Sequence, residues 1–244
     1  GVRGGVEITT IADIPSRGTG LGSSSAVTVG LLSALYEYVG KSVSAFTLAE
    51  QACQIEIEIL GQPVGRQDQY GCAVGGVNHI RFLPDGSTVV EALELSDEII
   101  ARMGEEFTLL YTGKTRSAAE LLARQSAQTA DHTAQLGRMC DQARQARDAL
   151  LVGDLEQVGD LLHEGWELKQ QLASGITLPE IDELYSTVRN CGATGGKLLG
   201  AGGGGFILFH GSPEVRAKVA QALPEHRMLP LEVARKPVEI IFSE

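Results

Sequence analysis

Apolar residues along this chain change their spacing part-way. Short alternating runs sit among helical ones in the first half, and beyond it the apolar positions recur mostly at helical intervals. Residues 6–11 alternate and predict a strand. Residues 24–39, rich in Ala, Val and Leu, predict a helix that stops at Gly40, and residues 45–60 a second helix opening after Ser44. Residues 75–82 and 88–95 flank Pro84-Asp85-Gly86 and predict a hairpin. A short helix over 96–103 and a strand over 107–111 come next. The capping box Ser117-Ala-Ala-Glu120 opens a long helix to Leu151. Further helices are predicted from Asp154 to Ala173 and over 179–190, the latter behind the capping box Thr177-Leu-Pro-Glu180. A strand over 206–210, a helix over 213–223 and a strand over 238–242 follow. A strand-rich half before a helix-rich half is an α+β pattern. The change of texture near residues 103–107 divides the chain into domains at 1–104 and 105–244.

Composition narrows the partners. The 244 residues are 43% hydrophobic and 21% charged, enough for a real core in a soluble fold. A net charge of −11 with no basic stripe argues against nucleic acid. No apolar run reaches transmembrane length, so no membrane partner is expected. Cys53, Cys72, Cys140 and Cys191 form no C-x-x-C pair and read as reduced, structural thiols of a cytoplasmic protein. His79, His132, His163, His210 and His226 show no metal spacing. The expected partner is a small molecule, with a homodimer as the assembly allowed for.

The densest chemical signal is Pro15-Ser-Arg-Gly-Thr-Gly-Leu-Gly-Ser-Ser-Ser25, which runs directly into the first long helix. Gly18, Gly20 and Gly22 permit φ > 0, so backbone N–H groups can converge. Ser23, Ser24 and Ser25 fall on a helix start, which carries unpaired donors and the positive end of the dipole. Such a loop suits phosphate. It fits neither familiar fingerprint. Counting from Gly18, the sixth position of G-x-G-x-x-G is Ser23, and Gly113-Lys114-Thr115 and Gly40-Lys41-Ser42 lack the earlier glycine of a P-loop, having Thr108 and Leu35 there. A second cluster, Gly195-Gly196-Lys197-Leu-Leu-Gly200-Ala-Gly-Gly-Gly-Gly205, leads into Phe206-Ile-Leu-Phe209. Four consecutive glycines before a strand point to close approach of another backbone or a ligand. Asp68, between two glutamines, reads equally as a turn aspartate or as a carboxylate that takes a proton.

These two glycine stretches, with Gly65-Arg66-Gln67-Asp68-Gln69-Tyr70, resemble the second motif, the third motif and the catalytic aspartate segment of the GHMP kinases. Gly65-Arg66-Gln67-Asp68-Gln69-Tyr70, Leu110-Tyr-Thr-Gly-Lys-Thr-Arg116 and Gly165-Trp-Glu-Leu-Lys169 look most like the heptose-phosphate and fucose kinase branch. The resemblance implies a two-domain fold: an N-terminal ATP-binding domain like ribosomal protein S5 domain 2, incomplete here, and a ferredoxin-like C-terminal domain. It implies phosphoryl transfer from ATP, with Mg²⁺, to a hydroxyl of a sugar or sugar phosphate, the anomeric hydroxyl of a heptose 7-phosphate first. Asp68 would be the base and Arg66 a catalytic cation. Pro15, Gly18, Gly20, Leu21, Gly22, Ser23, Ser24 and Ser25 would hold the nucleotide. Mg²⁺ would sit on Glu56 and Ser24, with Ser23 and Ser25 as rivals to Ser24; Glu58, two residues from Glu56, points elsewhere. Thr112, Arg116, Gly202 and Gly203 would contact the acceptor. Two departures stand out. The chain opens on Gly1 without the family's first motif, so it reads as truncated at its start, and Arg66 replaces an expected lysine. A fucose or mevalonate acceptor, or a non-catalytic nucleotide- or sugar-binding relative, are the alternative readings.

Overall fold

A computed structural model describes residues 4–12, 18–115 and 118–243. They fall into two compact units. The first takes Gly22–Ala92 with the described parts of Gly1–Arg17 and Ala234–Glu244; the second takes Gly18–Leu21 and the described parts of Leu93–Val233.

The first unit is built from α1 (Ser23–Tyr38), α2 (Ala45–Cys53), a π-helical segment over Gln54–Ile59, α3 (Gln67–Val74) and the antiparallel hairpin β1 (Asn78–Phe82) and β2 (Thr88–Ala92). Ser44 caps α2 by accepting from Thr47 N at 3.1 Å. Val29, Leu48, Ala49, Ala52, Cys53, Tyr70 and Ala73 form the core where the three helices meet. The hairpin turn is closed by Leu83 N donating to Ser87 O at 2.9 Å and by Ser87 N donating to Asp85 Oδ1 at 2.9 Å.

Four expectations change in this unit. The helix expected over 45–60 turns π-helical from Gln54: Leu60 N reaches back five residues to Ile55 O at 2.9 Å. Asp68, expected outside regular structure, lies in the first turn of α3, whose Tyr70 and Ala73 are drawn into the core despite Gly71 in mid-helix. Residues 6–11 enter no ladder, and Val6, Ile8 and Ile11 are exposed. Residues 238–242 are not a strand either. Val238 N donates to Ala73 O at 3.1 Å, one bond to a helix rather than a ladder, and Ile241 is 91% exposed.

The second unit carries α4 (Asp97–Glu106), β3 (Phe107–Tyr111), α5 (Ala118–Ala127), a 3₁₀ turn (Thr129–His132), α6 (Thr133–Val152), α7 (Leu155–Gln170), α8 (Pro179–Asn190), β4 (Gly195–Leu198), β5 (Phe206–His210), α9 (Pro213–Ala222) and β6 (Met228–Pro230). Its sheet has the order β4-β5-β3-β6, every neighbouring pair antiparallel. With helices between β3 and β4 and between β5 and β6, this is the ferredoxin-like arrangement. The chain as a whole is α+β. Trp166, Leu172, Ile176, Ile181, Leu198, Ile207 and Phe209 lie at the centre of the core.

The glycine cluster hid β4: Gly195 and Gly196 have no side chain to show alternation, yet they pair with His210 and Phe209. A Cβ on Gly195 would stand 1.9 Å from Gly159 O, so only glycine lets α7 lie on this strand. The long helix expected from residue 117 breaks at the 3₁₀ turn, where the hydroxyls of Thr129 and Thr133 bond back to Gln125 O and Ala130 O. Ser117 lies outside the described residues. The second capping box is not made: Leu178 is the N-cap of α8, and Thr177 Oγ1 donates to Asp182 Oδ1 at 2.5 Å instead. Among the described residues no helix is long and apolar enough to cross a membrane.

Candidate active site

The loop before α1 passes from one unit to the other between Leu21 and Gly22. Gly18, Gly20 and Gly22 have φ of 70°, 74° and 67°. Gly22 is the left-handed N-cap of α1, makes no side-chain cap, and is followed by a first turn with no acidic residue. The positive end of this helix is therefore uncompensated by a carboxylate of its own. Ser23 is the first residue of α1; Ser24 is exposed and Ser25 buried. Pro15 lies outside the described residues.

In the first unit three polar side chains bond to Glu56, which is 4% exposed. Ser25 Oγ donates to Glu56 Oε2 at 2.8 Å, Thr28 Oγ1 to Glu56 Oε1 at 3.3 Å, and Gln69 Nε2 closely to Glu56 Oε2. Asp68, next to Gln69 in sequence, lies against the N-cap of α1: a Cβ on Gly22 would come within 3.4 Å of Asp68 Cβ. The π-helical segment sets Glu56 inward while Glu58 remains exposed. Asp68 keeps part of its surface in solvent, yet the protein around its carboxyl raises its pKa. Desolvation is the main cause; a hydrogen bond to the Gln67 side chain opposes it, and the charge of Glu56 adds to it. The same negative field, after burial, pushes the Cys72 thiol up to about 11.

This donor set fits a magnesium ion. Glu56 is a buried carboxylate held by neutral donors, with no ion pair among the described residues, and Gln69 Oε1 beside it is a buried acceptor without a partner. Mg²⁺ takes one or two carboxylates and completes its shell with phosphate and water, so no cage of side chains is required. Among the described residues none exists: no group of three His, Cys, Asp or Glu is found.

Arg66 is placed differently from a cation aimed at reacting phosphate. Its Nη1 donates to Gly86 O at 2.8 Å, and the guanidinium carbon lies 5.9 Å from the Tyr70 ring centre and 5.8 Å from that of Phe82. It fastens the hairpin turn to the start of α3.

In the second unit the two glycine stretches meet. A Cβ on Gly20 would stand 2.7 Å from the Leu199 carbonyl, and one on Gly200 2.5 Å from Gly20 Cα. Phe206 N donates to Thr19 O at 3.2 Å. Thr112, of the expected acceptor segment, is buried, with Oγ1 donating to Gly205 O at 2.8 Å. Gly203 N donates to Ile176 O at 2.9 Å, and a Cβ on Gly202 would strike the same carbonyl. Thr112, Gly202 and Gly203 thus build the glycine run into the unit. Arg116 lies outside the described residues.

Sequence reading missed Thr28, Gln69 and Lys169. Thr28 lies three residues beyond Ser25 on the same face of α1, a signal that was available. Gln69 carries none, because a glutamine is ordinarily exposed.

Comparison with known proteins identifies the family. Residues 1–76 match the GHMP kinases N terminal domain, and residues 146–227 match the GHMP kinases C terminal. The chain belongs to the GHMP kinases. It is 29% identical over 216 residues to the D-glycero-alpha-D-manno-heptose 7-phosphate kinase of Campylobacter jejuni, covering 88% of this chain and 63% of that protein. It is 28% identical over 236 residues to the bifunctional fucokinase/GDP-fucose pyrophosphorylase of Arabidopsis thaliana, covering 94% of this chain and 22% of that protein. The crystal structure of a D-glycero-D-manno-heptose 1-phosphate kinase from Bacteroides thetaiotaomicron superposes with a TM-score of 0.68 at 27% identity, over 92% of this chain and 64% of that one. The chain therefore spans less than two thirds of the length of the heptose kinases it matches.

Proposed function

We propose that the protein is an ATP-dependent kinase that phosphorylates a hydroxyl of a small molecule, a sugar or sugar phosphate, in the cytoplasm. One observation carries the reading: Glu56 is buried beneath the first turn of α1, bonded by Ser25, and adjoins the α3 turn that bears Asp68. A helix start without its own acid can receive phosphate oxygens. The loop Gly18–Leu21, with Gly22 and Ser23, would follow the nucleotide's phosphates. Glu56, with Ser24 or Ser25, would hold Mg²⁺, which supplies charge neutralisation on those phosphates when bound. Asp68 would accept the proton of the attacking hydroxyl. Arg66 would act by holding the hairpin and α3 in register. A heptose phosphate would be the first acceptor, with its anomeric hydroxyl as the nucleophile, and fucose the second; similarity to a heptose 7-phosphate kinase and to a fucokinase supports that order. The N-terminal ATP-binding domain would be 1–104 and the C-terminal domain 105–244.

The test is a panel of heptose 7-phosphate, fucose, mevalonate and homoserine with Mg-ATP, read by ADP release, beside calorimetry with Mg-ATP alone. Saturable nucleotide binding and turnover with a sugar support the reading. Turnover with a non-sugar only would remove the sugar assignment. Nucleotide binding without turnover on any acceptor would leave a binding protein.

A further inference from the structure

Two lysines of the second unit have no role in the scheme above. Lys169 sits in the last turn of α7 and is only 8% exposed; its Nζ donates closely to Gly200 O, the first carbonyl of the glycine run. Lys197 is in β4. Gly195 faces α7, since its Cβ would meet Gly159 O and, at 2.9 Å, His163 Cβ. Lys197, two residues on, shares that face, and α7 and β4 both run toward the end where Gly200 lies. The two side chains therefore share the space between α7 and β4: Lys169 reaches Gly200 O, and the charge of Lys197 is felt at Lys169. Among the described residues neither lysine has an ion pair. Burial, joined at Lys169 by the charge of Lys197, brings the Lys169 pKa down to about 7, and burial alone lowers that of Lys197.

Packing does not account for this. A buried ammonium with one carbonyl is costly, the charge of the half-buried Lys197 beside it adds to that cost, and apolar residues of similar length would fill the space. A basic residue in a last helical turn ordinarily serves the helix's own carbonyls. Lys169 instead reaches Gly200 on another segment.

We propose that Lys169 and Lys197 form a phosphate-binding site at the head of the glycine run, one that takes the phosphate already carried by a phosphorylated acceptor. The acceptor's identity rests on the kinase reading; the anion site does not. Two lysines beside an amide-rich backbone suit a phosphate dianion, which supplies the charge they lack. A neutral sugar has nothing to offer them.

The test starts with inorganic phosphate as the probe. Amine acylation of the unmodified chain, read residue by residue by mass spectrometry, should slow at Lys169 and Lys197 when phosphate is added and not at Lys236. In calorimetry, K169M and K197M should each bind phosphate at least tenfold more weakly than the parent, and K169M should melt no lower than the parent. Equal labelling with and without phosphate, or unchanged affinity in both variants, would overturn the site. Competition then separates the two phosphate sources. A sugar phosphate that displaces inorganic phosphate, where its free sugar does not, supports the acceptor assignment. Displacement by ADP alone would overturn that assignment. If the protein turns over ATP but phosphate shields neither lysine, this inference fails and the kinase reading stands. If phosphate binds through the lysines and no acceptor is turned over, the reverse holds.

Discussion

Ser25 Oγ donates to Glu56 Oε2 across 2.8 Å, tying the first turn of α1 to the π-helical segment. A hydrogen bond to a buried charged group is worth about 1.5–3 kcal/mol, more than a neutral one. Ser25→Ala is expected to lower unfolding free energy by roughly that amount in chemical denaturation. Glu56→Gln keeps the shape and removes the charge. Mg-ATP affinity should fall, with partial recovery at higher Mg²⁺, while binding of metal-free ADP changes little. Equal loss with and without metal would remove Glu56 from the metal site.

Gly20 is fixed by backbone as well as by φ. Its φ of 74° disfavours any side chain, and a Cβ would press on the Leu199 carbonyl at 2.7 Å. Left-handed strain alone costs on the order of 1–3 kcal/mol. Gly20→Val is therefore expected to lower the melting temperature and to weaken ATP binding by displacing the glycine run. At Gly22 the nearest atom is Asp68 Cβ at 3.4 Å, ordinary contact, so Gly22→Ala should cost less stability than Gly20→Ala. The reverse order in thermal melts would contradict this packing.

Arg66 distinguishes a structural from a catalytic cation. Because its guanidinium bridges Gly86 and the rings of Tyr70 and Phe82, Arg66→Lys loses the planar fork and the stacking while keeping the charge. The expected cost is about 1 kcal/mol in unfolding free energy. Turnover at saturating substrate should change less than stability does. A large fall in kcat with unchanged melting would restore Arg66 to the reacting phosphate.

Much of this arrangement was legible in the sequence, and the exceptions have physical causes. The helix after the glycine–serine loop, the hairpin at Pro84-Asp85-Gly86 and the strand over Phe107–Tyr111 carry strong local signals, and each forms. Helical facing separates Glu56 from Glu58 without saying which turns inward; the family resemblance selects Glu56, and the segment that carries it inward is π rather than α. Three kinds of information were missing. Glycines carry no alternation, so β4 could not be seen. Strand patterns at 6–11 and 238–242 state only that a segment could pair, not that an edge is there to receive it. The role of Arg66 depends on Gly86, twenty residues away, and a charge of that kind says nothing in sequence about which partner takes it.

Asp68 gives a prediction with a worked sign. Its pKa is raised by desolvation, so the fold favours the neutral form. A base must be ionised, and turnover should therefore fall, as pH drops, at a higher pH than an ordinary carboxylate would set. Asp68→Asn should slow phosphoryl transfer by roughly 10²–10⁴-fold with ATP affinity little changed. It should not destabilise the protein at neutral pH, because it removes a charge the fold disfavours, and that advantage should vanish in acid where Asp68 is protonated in both states. Near-normal turnover in Asp68→Asn would leave positioning and electrostatics to carry the reaction.

Lys169 sets a stability slope in the alkaline range. Its pKa falls from 10.5 to about 7 in the fold, desolvation being the larger cause and Lys197 the second. Between those values the unfolded chain binds a proton that the folded chain refuses. Stability should then rise with pH through this window, by at most about 1.4 kcal/mol per pH unit from this one group. Below pH 7 the folded lysine is charged as well, and the full penalty stands, an upper bound of about 5 kcal/mol. Above the unfolded pKa it is absent. Lys169→Met abolishes the penalty, so its advantage over the parent should be greatest at and below neutral pH and should shrink steadily toward pH 10. The comparison between the two proteins cancels the other groups that titrate there. Saturating phosphate at neutral pH should stabilise the parent more than the variant and narrow the difference. Parallel stability curves for parent and variant across this range would show that Lys169 is not held against its charge.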